Sequence, residues 1–189
     1  FGVDGSRPLH ERFAEITLSG RITIPDSETT LTIGQQFGIW HPLGGERRMV
    51  HWQRCQQAVA GWTCPRAIKD ALVKTKLVRM VLATPAIFQH GWRPDLENGP
   101  LKDFGLKLVG ACTSRWKAVS GWSLAPPRGP KPIRRMVPAG SVYFFEVEKP
   151  GDAVPLADLW LQSISDDEQE QRDGFGLAVW GTWNNEENK

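Results

Sequence analysis

The sequence predicts an α+β domain of ferredoxin-like architecture, and three observations carry that reading. The first is element order. Apolar alternation and helical spacing follow one another as β (46–53), α (65–74), β (77–83), β (138–147), α (155–164), β (175–183), the split βαβ order. The second is punctuation: residues 84–133 are rich in Gly and Pro and read as an insertion, a loop followed by a β-hairpin. The third is bulk composition. The 189 residues are 40% hydrophobic and 23% charged, which suits a globular domain or one domain plus part of another.

Residues 1–37 are rich in Gly, Ser and Thr. Residues 14–24 alternate as a strand, 31–33 read as a shorter one, and a turn falls between them. This segment is expected to be the remnant of a first ferredoxin-like domain, or a linker. Residues 38–189 are expected to form the C-terminal domain. The first strand of that domain follows Gly44-Gly45, which allows a tight turn or close approach of backbone to a ligand. Pro65 suits the first turn of a helix whose stripe is Ile68, Ala71 and Leu72. Residues 77–82 are apolar enough for a central strand.

The insertion begins with a loop broken by Pro85, Gly91, Pro94 and Gly99, which carries Phe88, His90, Trp92 and Arg93. Residues 106–111 and 115–121 are expected to pair as its hairpin. A proline-stiffened arm, SLAPPRGPKP, leads to Arg134 and Arg135, which fall on opposite faces of an extended chain. Pro138, Ala139 and Gly140 form a turn before the β-branched and aromatic run Val142–Val147. Pro155 opens the second helix, with Leu156, Leu159, Trp160 and Ile164 as its stripe. An acidic loop, 165–173, precedes the last strand.

Charge is distributed unevenly along the chain. Net charge is only +2, yet Arg115, Lys117, Arg128, Lys131, Arg134 and Arg135 follow one another without an intervening acid. A basic middle beside an acidic C-terminal segment suits a protein with one surface for a polyanion; alternatively, folding mixes the charges. Cys55, Cys64 and Cys112 are odd in number and form no C-x-x-C, so neither a disulfide framework nor a zinc site is indicated. No cofactor and no metal site are expected. No apolar run approaches the ~20 residues of a membrane span.

Three clusters are candidates for phosphate contact, and the resemblance described below implies that the ligand is RNA. Gly44 and Gly45 expose backbone N–H groups beside Arg47 and Arg48. Lys131, Arg134 and Arg135 lie on stiff backbone, with guanidinium forks that suit phosphate oxygens. Gly174, Phe175 and Gly176 form a glycine loop that enters a strand, not a helix, which excludes a dinucleotide fingerprint. Each has a plainer alternative as an ordinary turn with solvated side chains. Trp92 and Arg93, beside Gly91, are candidates for a protein-partner or RNA surface; the plainer alternative is a loop that plugs a domain edge. His10, His41, His51 and His90 form no H-x-x-x-H pair and lie near no recognisable nucleophile.

Four pieces of the sequence carry a family resemblance: LGGERR at 43–48, TPAIFQHGWRP at 84–94, GPKPIRRMVPAGSVYFF at 129–145 and GFGLAVWG at 174–181. In content and order they resemble the third RAMP subunit of the type III-B CRISPR effector, the Cmr complex. The likeness runs from about Ile39 to Trp183. It implies RRM-like (RAMP) ferredoxin-like domains and a non-catalytic, cytoplasmic subunit in antiviral defence. That subunit would grip the 5′ handle of the guide RNA. Its protein partners would be the large polymerase-like subunit and the backbone RAMP subunit. The chain is short for that family and begins at Phe1, so it is read as the C-terminal part. Two alternatives stand beside this reading. One is a metal-independent endoribonuclease with His41 as the first histidine to test. The other is a purely structural subunit, which the nine tryptophans would permit.

Overall fold

Leu77–Leu82, Val142–Glu146 and Ala178–Thr182 each place alternate side chains on a buried face, and that alternation builds the core. A computed structural model describes residues 40–43, 48–51, 61–124 and 126–184. The chain divides between Val59 and Ala60 into two units, taken separately below. In the first, strands β1 (Trp40–Leu43) and β2 (Arg48–His51) pair antiparallel as a hairpin of their own. Trp40 stands against His51 across it, ring centroids 5.3 Å apart.

The second unit opens with helix α1 (Arg66–Leu72), preceded by Pro65, whose missing N–H is no loss at a helix start. Next come β3 (Leu77–Leu82), β4 (Lys107–Cys112), β5 (Lys117–Val119), β6 (Trp122–Ser123), β7 (Gly129–Pro130), β8 (Arg134–Met136) and β9 (Val142–Glu146). Helix α2 (Glu168–Arg172) and β10 (Ala178–Thr182) complete it. The main sheet has four antiparallel strands in the order β10-β3-β9-β4. One face carries Val78, Met80, Leu82, Tyr143, Phe145, Ala178 and Trp180, all in the core. Leu72 of α1 joins the same core, as does Leu156 of a 3₁₀ helix at Val154–Leu159. Among the described residues no helix is long and apolar enough to cross a membrane.

Three sequence expectations are corrected. The strand expected at 46–53 is described only over Arg48–His51, and it pairs with β1 instead of entering the main sheet. The fourth strand of that sheet is β4, which had been assigned to the inserted hairpin; its end Cys112 faces Val142 of β9. Pairing partners lie far apart in sequence, and a bulge between Leu108 and Gly110 weakens the alternation that would have marked β4 as a sheet strand. The inserted hairpin exists, but its arms are β5–β6 and β7–β8. Lys117 faces Met136, Ala118 faces Arg135, Val119 faces Arg134, and Trp122 faces Pro130. Finally, the helix expected over 155–164 is the 3₁₀ helix, which ends at Leu159. Beyond it Leu161 takes a positive φ of 54° and bonds to Ala178, so Ile164 reaches the core from an extended segment.

Candidate nucleic-acid interface

Between Asp103 and Glu146 the sequence contains no acid and seven Lys or Arg. The hairpin of β5–β6 and β7–β8 carries six of them: Arg115, Lys117, Arg128, Lys131, Arg134 and Arg135, all exposed. Trp116 is 48% exposed, Trp122 63% and Ile133 75%. Aromatics interleaved with cations on an uncovered arm are what a nucleic-acid surface needs.

Strand alternation separates the two arginines, as expected, and each meets a different partner. Arg134 reaches Glu170 on α2, Nη2 to Oε1 2.7 Å. The Glu170 side chain is only 9% exposed. Burial pushes its carboxyl above the ordinary range; Arg134 opposes this, while Asp167, Asp166 and Asp173 add to it. Lys131 approaches Asp173 at 3.6 Å. Arg135 instead lies over the ring of Trp116, 4.8 Å from its centroid, and among the described residues no acid pairs with it. The acid that holds Arg134 lies far along the chain on α2, a separation that hides it from a sequence reading.

The glycine loop is bound inward. Gly176 is buried, and its N–H donates to Pro85 at 2.7 Å. A Cβ there would lie 2.5 Å from Ser165 Oγ. The Gly174 carbonyl accepts from Thr84 Oγ1, and that of Phe175 from Ser163. Gly174 itself has open space around it, and Phe175 is half-buried.

The 84–99 loop divides its aromatics. Phe88 is in the core, edge-on to Tyr143. Trp92 is 50% exposed, with Arg93 exposed beside it, while the Trp92 carbonyl accepts from the Tyr143 hydroxyl at 2.6 Å. His90 stands 3.9 Å from Asp95, whose carboxyl is held down by the backbone N–H groups of Asn98 and Glu97. Gly44, Gly45 and Arg47 lie outside the described residues, and of Arg48 only the backbone is described. His10 also lies outside them, and only the backbone of His41 is described.

A pocket of about 680 Å³ is lined by Asp103, Glu148 and Asp152, among others. Three carboxylates repel phosphate, so the pocket is no part of this surface. Among the described residues no group of three or more His, Cys, Asp and Glu is placed to hold a metal ion.

Residues 21–183 match the family model described as CRISPR-associated protein (Cas_Cmr3). The chain belongs to the Cas_Cmr3 family. It is therefore a type III-B CRISPR-associated protein, of a family of effector subunits. The matched span contains the four-stranded sheet, the hairpin, the Trp92 loop and the glycine loop. Among curated proteins nothing matches the chain. Like Trp122, Trp116 is a member of this surface that the sequence reading missed. Its signal was present, an indole between Arg115 and Lys117 in an acid-free run.

Proposed function

We propose that this Cas_Cmr3-family chain is a non-catalytic RNA-binding subunit that grips the 5′ handle of the guide RNA along its basic hairpin. The observation that carries this reading is the hairpin itself: acid-free, exposed on both strands and set with tryptophans. Phosphate contacts supply affinity there, and exposed rings supply stacking for unpaired bases. Gly174 and Phe175, at the glycine loop, and separately Gly44, Gly45, Arg47 and Arg48 are further RNA contacts in this proposal. Arg135 is the free fork of the adjacent pair; Arg134 and Lys131 are held by acids. Trp92 and Arg93 form the docking point for the large polymerase-like subunit, and the backbone RAMP subunit is the other protein neighbour. The assembly is cytoplasmic.

The sheet order supports a ferredoxin-like, RAMP reading of the second unit. The last strand lies beside the first, the first beside the third and the third beside the second. The helix between the first two strands is replaced by a loop and a short 3₁₀ turn at Lys102–Phe104. That fold hosts many functions, so it does not by itself give the function.

Titration of labelled 5′-handle RNA at several salt concentrations tests the reading. Affinity should fall linearly with salt on logarithmic axes, and the slope should drop by about one unit for each phosphate contact removed. A salt-independent or undetectable interaction would overturn it. The same RNA should remain uncut with or without divalent metal; cleavage abolished by His41→Ala would make the chain an enzyme.

A further inference from the structure

We propose that Trp116 and Arg135 together form a stacking site for one unpaired base of single-stranded RNA. This rests on the RNA-binding reading above and adds to it a position and a chemistry. Arg135 caps the indole at 4.8 Å, and Trp116 is still 48% exposed. The geometry follows from the hairpin register. Arg135 faces Ala118, whose methyl group leaves the space above the strand open. Trp116 lies two residues before Ala118 and therefore on the same side. Arg135 can then lean diagonally onto the ring.

An exposed indole contributes little to a core, and a cation–π contact at an exposed site stabilises by only about 0.5–1 kcal/mol. The pair is better suited to a ligand. A guanidinium plane lying on a ring offers its outer face to a base, and its N–H groups to the adjoining phosphate. Arg115 and Lys117 flank Trp116 and supply further charge for the backbone. The acids that reach the hairpin engage Arg134 and Lys131 and leave Arg135 to the indole. A duplex hides its base faces, so the ligand is single-stranded. Every base has a π-face, so the site tolerates sequence.

The test uses the full 189-residue chain and two labelled probes. One is a short single-stranded RNA; the other is an abasic ribose-phosphate oligomer with the same number of phosphates. The chain should prefer the base-bearing probe by roughly five- to 100-fold, the range that stacking supplies. Trp116→Ala should cut that preference at least fivefold and leave abasic binding unchanged. Trp116→Phe should keep most of it. Arg135→Lys should reduce the preference without lowering the salt slope, since charge is retained and the planar fork is lost. A Trp116→Ala chain whose preference for bases is unchanged overturns the stacking site and leaves the RNA-binding reading standing. Failure of the unsubstituted chain to bind either probe overturns both.

Discussion

Replacing Arg134 with alanine leaves Glu170 buried beside Asp166, Asp167 and Asp173 without its guanidinium. That loss should lower stability by about 1–3 kcal/mol, read as a fall in the unfolding midpoint. Arg135→Ala removes only a contact to an exposed ring, so its effect on stability should stay below about 1 kcal/mol. The two neighbours should thus separate cleanly in a denaturation experiment. Glu170 also predicts a pH dependence. Its carboxyl is raised on folding from an ordinary value near 4.5, so the folded chain binds its proton more tightly than the unfolded chain does. The protonated form's contribution is complete below that value and is lost as pH rises through the folded one. Relative to Glu170→Gln, the chain should therefore lose stability from about pH 4.5 upward, as melts of both at stepped pH would reveal. A constant difference across that range would contradict the burial argument.

The glycine loop and the hairpin show what a linear sequence conceals at the level of elements. Gly176 and Gly174 both have positive φ, 78° and 84°. Alanine at Gly174 meets open space and should cost about 1–2 kcal/mol, the backbone penalty alone. At Gly176 the same methyl would collide with Ser165, so the loss should reach about 3 kcal/mol or more. Guanidinium titrations of the two variants measure the gap; equal losses would mean that the loop does not pack as described. The sequence marks both glycines alike, because what surrounds them comes from residues 163–165 and 84–85. Helix α1 and strands β3, β9 and β10 were legible, since each carries its own periodicity. The place of β4 was not, because its membership depends on β9 and not on its own pattern. Trp160 is a similar case: its stripe reads as helical, yet its indole N–H bonds to Gly61 from the end of a 3₁₀ turn.

For the whole molecule, the docking role proposed for Trp92 can be told apart from a role in folding. Its backbone carbonyl anchors Tyr143, a contact that alanine preserves, and its ring is half exposed. Trp92→Ala should therefore leave the melting temperature nearly unchanged and weaken co-purification of the large polymerase-like subunit. A lower melting temperature with intact co-purification would return the ring to a folding role. The register at the base of the arm has a wider consequence. Cys112 and Val142 are cross-strand neighbours, so β4 and β9 are adjacent strands whose connecting turn has been opened to admit residues 113–141. Lys117 facing Met136 brings Trp116 and Val137 close enough to be rejoined by an Asn-Gly turn. With Glu170→Gln to remove the stranded carboxylate, that excised chain should still melt cooperatively and should lose its affinity for RNA. The arm then behaves as a cassette, removable at its base without disturbing the sheet that carries it.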